Sequence, residues 1–89
     1  MKQRFVVLDL ETTGNTPKKN DKIIQVGAVL IENGEIVERF ASFVNPQCTI
    51  PPFIEQLTNI NQEMVDRAPT FAQIAPMLCE MLKGSSLVA

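Results

Sequence analysis

Arg4-Phe5-Val6-Val7-Leu8-Asp9-Leu10-Glu11-Thr12-Thr13-Gly14 is an apolar run that meets two acids and then a Thr-Thr-Gly turn. Residues 4–10 are rich in Phe, Val and Leu and too few for a stable helix, which predicts a strand buried on both faces. Side chains alternate along a strand, so Asp9 and Glu11 share one face and Leu10 takes the other. Two carboxylates so placed repel each other and resist desolvation, an arrangement that costs free energy unless a cation lies between them. Hard divalent ions such as Mg²⁺ and Mn²⁺ take oxygen ligands and suit the pair. Gly14 lets the chain turn sharply and come close to a substrate, while the amides and hydroxyls of Thr12 and Thr13 can hydrogen-bond a sugar hydroxyl or a phosphate. The competing reading is an edge strand whose two acids simply face water.

Outward from this stretch, residues 15–21 are polar with one proline and read as a loop. Residues 22–31 resume the apolar pattern as a second strand. Glu32-Asn33-Gly34-Glu35 holds the Asn-Gly pair that favours a two-residue hairpin turn, and residues 36–44 alternate as a third strand. Three prolines between 45 and 52 predict irregular chain, followed by a short helix over 52–57. Asn61 is placed to cap a helix over 62–67, with Glu63 in its first turn. Thr70 and Gln73 form a capping-box pattern, and Phe71, Ile74, Ala75, Leu78 and Leu82 then fall on one helical face. Pro76 fits that helix badly and predicts a kink or a fresh start. Gly84 ends it, and Leu87-Val88-Ala89 begin a fourth strand. The plan is mixed α/β: a three-strand antiparallel meander, then helices, then a strand returning parallel to a neighbour by a right-handed crossover.

The bulk properties narrow the function. An 89-residue chain is at most one small domain. Its formal net charge of −2 lacks the Lys/Arg excess of proteins that bind nucleic acid mainly by neutralising phosphates, although bound divalent ions can supply that positive charge. The one basic cluster, Lys18, Lys19 and Lys22, reads as a solvated loop beside the acids. Cys48 and Cys79 are too few for a disulfide framework and fit a reducing cytoplasm. No segment approaches the ~20 apolar residues that span a bilayer, so no membrane partner is expected and the expected location is cytoplasmic.

Asp9-Leu10-Glu11-Thr12-Thr13-Gly14 resembles the first motif of the DnaQ-like (DEDD) 3'–5' exonuclease superfamily. The resemblance continues through Lys22-Ile23-Ile24-Gln25-Val26-Gly27-Ala28-Val29, Val44-Asn45-Pro46, Ile50-Pro51 and Leu57-Thr58-Asn59-Ile60-Asn61-Gln62-Glu63-Met64-Val65. In detail it is most similar to the N-terminal exonuclease module of DinG-type helicase proteins of Gram-positive bacteria. The resemblance implies a ribonuclease-H-like fold, two divalent ions (Mg²⁺ or Mn²⁺) in the complete domain, and hydrolysis of phosphodiester bonds from the 3' end of nucleic acid, single-stranded DNA in the first place. It makes Asp9 a ligand to both metals and Glu11 a ligand to one. Leu10, Thr12, Thr13 and Gly14 would meet the 3'-terminal nucleotide. Thr58 and Ile60 would line the terminal-base pocket, with Ile60 as an apolar wedge. One departure is Asn59, which stands where the family usually has Gly. A helicase or polymerase module C-terminal to this segment in the parent protein is a further implication.

The family's second motif opens with His-Asn and supplies an Asp one turn later; its third supplies a His or Tyr general base and the last Asp. This sequence has no His and no Tyr. Residues 1–89 are therefore expected to be the N-terminal part of an exonuclease domain, the N-terminal half of the fold, and inactive by themselves, with one sheet face and a strand edge exposed. The alternative is a non-catalytic nucleic-acid-binding or interaction module. Against it stand the acidic charge and the shortage of stacking aromatics.

Overall fold

A computed structural model of the chain describes residues 3–14 and 22–88. The expected loop over 15–21, with Lys18 and Lys19, lies outside the described residues. The elements in order are β1 (Arg4–Thr12), β2 (Ile23–Glu32), β3 (Glu35–Phe43), α1 (Pro52–Thr58), α2 (Gln62–Asp66), α3 (Phe71–Leu82) and β4 (Ser86–Val88). They form the expected mixed α/β architecture: a four-stranded sheet in the order β3-β2-β1-β4, with β1, β2 and β3 antiparallel. β4 pairs parallel to β1 through Phe5–Ser86, Val6–Leu87 and Val7–Val88.

The hairpin between β2 and β3 follows from its two turn residues. Asn33 and Gly34 both take positive φ, 52° and 86°, as a tight turn matching strand twist requires. The Asn33 side chain also accepts a hydrogen bond from the Gln3 amide at 3.1 Å, while the Asn33 amide donates to the Gln3 carbonyl at 2.9 Å. The turn is thereby tied to the start of β1, which helps fix the register of all three strands.

One face of the sheet carries the main core. Val6, Val26, Ala28 and Leu30 bury themselves against Ile74, Leu78 and Met81 of α3, with Val44 at the margin. A second cluster joins Ile24 to Ile50, Ile54, Ile60 and Val65, with Phe43 packed against it, and holds α1 and α2 at one end of the sheet. Gln62 fastens the proline-rich segment to this cluster, accepting from the Ile50 amide at 2.7 Å and donating to the Cys48 carbonyl at 3.2 Å.

One expectation is corrected and another narrowed. β1 is not buried on both faces: Val6 is 1% exposed, but Phe5 and Val7 on the other side are 37% and 39% exposed. Helices cover one layer only among the described residues, so an apolar pattern on both faces finds a partner for one. α3 is also not restarted at Pro76; it runs unbroken from Phe71 to Leu82. Ile74, Leu78 and Met81 each contribute roughly 1.5–3 kcal/mol by burial, together more than the ~3 kcal/mol that an interior proline costs.

Candidate metal centre on the open sheet face

The β1–β2 register sets out the open face row by row. Val7 lies opposite Val29, Asp9 opposite Gly27, and Glu11 opposite Gln25. β3 continues all three rows, with Arg39 beside Val29, Ala41 beside Gly27 and Phe43 beside Gln25. Directly opposed residues of an antiparallel pair project to the same side, so Asp9, Glu11, Gln25 and Gly27 share the face that α3 does not cover. Asp9 is exposed and Glu11 half-buried. Neither carboxylate has a hydrogen-bond or ion-pair partner among the described residues. The register shifts between Glu11 and Thr12, a bulge of the kind that ends regular pairing and re-aims the chain at a site.

Gly27 enlarges the space beside Asp9. A Cβ built there would meet nothing nearer than the Asp9 carbonyl oxygen at 3.9 Å. The result is an open hollow next to two unneutralised carboxylates. Oxygen donors with room around them fit a hydrated divalent cation, which takes oxygen ligands and keeps several of its waters. No third His, Cys, Asp or Glu joins them in a metal-holding group among the described residues.

The remaining expected site residues divide. Thr12 lies at the end of β1, and its hydroxyl donates to the Gly14 carbonyl, closing the turn after the acids. Thr13 is buried and pinned to the start of β2: its amide donates to the Lys22 carbonyl at 2.8 Å and its hydroxyl accepts from the Lys22 amide at 2.9 Å. Gly14 is half-buried. Leu10 faces away from the acids and lines an apolar groove of about 180 Å³ with Leu8, Phe71 and Leu78. A larger hollow of about 530 Å³, lined by Lys22, Asn45 and Thr70 among others, includes neither acid.

Thr58 and Ile60 belong to the α1–α2 corner. The Thr58 hydroxyl donates to the Ile54 carbonyl at 2.8 Å and accepts from the Ile60 amide at 3.2 Å. Ile60 is 3% exposed within the second cluster. Between them Asn59 has φ 62° and ψ 18°, the left-handed cap of α1. That conformation is the one Gly takes freely and Asn tolerates best among other residues, so the departure from Gly leaves the corner intact. Its neighbours show what sequence reasoning missed. Phe53 and Leu57, one turn apart on α1, are 64% and 66% exposed. Phe43, in the Glu11–Gln25 row, packs on the cluster that holds α1. The i, i+4 spacing of Phe53 and Leu57 was a signal, but so short a helix left their orientation open. Gln25 was also missed, although it is the one polar residue in the run 23–31.

Comparison with known proteins bears on this arrangement. The exonuclease family model (RNase_T) matches residues 6–89. The chain is 56% identical over 88 residues to the 3'-5' exonuclease DinG of Bacillus subtilis, covering 99% of this chain and 10% of that protein. It is 48% identical over 85 residues to the PolC-type DNA polymerase III of Clostridium perfringens, covering 96% of this chain and 6% of that protein. The chain thus spans a tenth or less of these two relatives. Among solved structures it resembles the nuclease domain of 3'hExo, a DEDDh family member solved bound to rAMP. That match has a TM-score of 0.77 and 31% identity, covering 93% of this chain and 47% of that one.

Proposed function

This chain belongs to the DnaQ-like 3'–5' exonuclease superfamily, and from that premise we propose that residues 1–89 are the N-terminal part of a domain that removes nucleotides from the 3' end of single-stranded DNA. The observation that carries the reading is the Asp9–Glu11 pair, unpartnered on the open sheet face beside the space left by Gly27. Asp9 would ligate two divalent ions and Glu11 one of them. What such ions supply when bound is an activated attacking water and counter-charge for the leaving oxygen.

The chain's own groups then have separate tasks. The bulge at Glu11 and the Thr12–Gly14 turn carry the backbone past the acids, where a terminal sugar and phosphate would lie. Thr13 holds that turn against Lys22. Phe53 and Leu57, exposed on α1, offer the apolar surface for the terminal base, while buried Ile60 supports them from the core; Thr58 keeps the corner closed. Relatives named as a DNA polymerase and as a 3'-5' exonuclease support placing this segment in a longer protein that carries a helicase or polymerase module.

Residues 1–89 do not complete the chemistry. The sequence has no His or Tyr to act as general base, and two carboxylates leave most of an octahedral shell to water. The 89-residue chain is expected to release no mononucleotide from a 3'-labelled single strand in Mg²⁺ or Mn²⁺, while Mn²⁺ still broadens the amide resonances around Asp9 and Gly27. Asp9→Asn should abolish that broadening. Release of nucleotides that Asp9→Asn removes would overturn the inactivity of this segment, and broadening that persists in Asp9→Asn would overturn the metal role.

A further inference from the structure

We propose that Gln25 is a positioning residue of this metal site, its side-chain carbonyl oxygen accepting a hydrogen bond from the water shell of the cation held by Asp9 and Glu11. The inference rests on the metal role of the two acids and adds a group that family likeness and acid counting both pass over.

Gln25 stands directly across from Glu11 in the β1–β2 register. Opposed side chains on one face have Cβ atoms about 4.5–5.5 Å apart, and the diagonal to Asp9 is about 7–8 Å. The first spacing lets an amide reach the neighbouring carboxylate or a water on it; the second suits a ligand shell shared with Asp9. The surroundings offer Gln25 little else. Its neighbour on β3 is Phe43 and the next residue along its face toward the hairpin is Gly27. The side chain is half-buried and has no hydrogen-bond partner among the described residues. Its amide is open to solvent on this face, and within its own row and the next the polar side chains beside it are the two acids. The hollow left by Gly27 lies between Gln25 and Val29 and is open to Asp9, so hydrated metal would fill the space the amide faces.

A divalent ion held by two carboxylates keeps most of its waters, and those waters are strong donors because the ion polarises them. An uncharged oxygen is suited to receive them without adding to the repulsion between Asp9 and Glu11. Glutamate at the same place would serve as a still better acceptor, at the cost of a third negative charge when metal is absent.

The test is Mn²⁺ titration of the 89-residue chain, followed by paramagnetic broadening of amide resonances, with melting in EDTA as the check on folding. Gln25→Met keeps length and apolar packing but removes the acceptor; Gln25→Glu keeps an oxygen acceptor at the same distance. Loss of an outer-shell partner costs about tenfold or more in metal affinity, so Gln25→Met should bind Mn²⁺ roughly tenfold more weakly with an unchanged or higher melting temperature. Gln25→Glu should bind at least as tightly as wild type and melt lower in EDTA. Equal Mn²⁺ affinity in wild type and Gln25→Met, with binding still abolished by Asp9→Asn, would overturn the role of Gln25 and leave the acid site standing. Mn²⁺ binding that survives Asp9→Asn, or none in wild type, would overturn both.

Discussion

Gly27 faces Asp9 with an empty position where Val29, two residues on along the same face of β2, carries a branched side chain. The vacancy is not demanded by the backbone. Gly27 is absent from the positive-φ residues, and a Cβ there would sit at ordinary contact distance from its nearest neighbour. Glycine inside a strand sacrifices stability, by about 0.5–1 kcal/mol against a side chain that packs. Gly27→Val should therefore raise the denaturation midpoint slightly, by up to about 1 kcal/mol, while filling the hollow and weakening Mn²⁺ binding severalfold. Chemical denaturation and Mn²⁺ titration on one preparation would show both; binding as tight as wild type would mean the space is not used. Asn59 is the complementary case, a residue whose backbone is strained. At φ 62°, Asn59→Ala should cost about 1 kcal/mol and Asn59→Gly should be neutral or better, as urea melts would report. Only part of this was legible in the sequence. Asp9 and Glu11 announce themselves because acids are out of place in an apolar strand. Whether Ile60 or Leu57 meets solvent depends on how a seven-residue helix rolls against Ile24 and Ile50, and no local pattern specifies that roll.

At the scale of elements, the stronger the local chemistry, the better the sequence predicted the outcome. Asn33-Gly34 defined the hairpin, and the Thr70 amide donates to the Gln73 side chain at 2.9 Å just where the capping pattern places the start of α3. The ends of β1 were harder, because Glu11 and Thr12 read as polar yet stay in the ladder opposite Gln25 and Ile23. Pro76 does not restart the helix, because its penalty is local while the offsetting burial of Ile74, Leu78 and Met81 comes from distant strands. That balance gives a prediction. Pro76 is exposed, so Pro76→Ala removes the penalty without opening a cavity. It restores a backbone donor to the Ala72 carbonyl and should stabilise the chain by about 1–3 kcal/mol. A rise in melting temperature with unchanged far-ultraviolet helix signal would agree. A fall would mean that the proline ring itself packs usefully or limits the unfolded chain.

The molecule is elongated, 47 × 23 × 22 Å, and among the described residues helices lie on one side of the sheet and the acid-bearing face is open. Its Cα radius of gyration, 14.4 Å, exceeds the ~12 Å expected of a compact domain of this length, as a sheet covered on a single face would give. Arg39 lies on the uncovered side toward β3, whereas toward β4 that side is apolar. Phe5 and Val7 are joined there by Val88, which pairs with Val7 in parallel register and is 46% exposed. β4 is also an edge, three residues long and exposed throughout. An apolar patch that ends in an open strand edge is a template for a second copy, and among the described residues nothing charged interrupts it between Phe5 and Val88. The 89-residue chain should therefore self-associate at micromolar concentrations. Val88→Lys places a charge on that edge, at a position too exposed for its loss to cost much folding free energy. Sedimentation of Val88→Lys should move toward the 9.9 kDa monomer, with its melting temperature close to that of the unmodified chain. An unchanged sedimentation profile would locate the self-association elsewhere, with the exposed Phe53 and Leu57 of α1 as the next surface to charge.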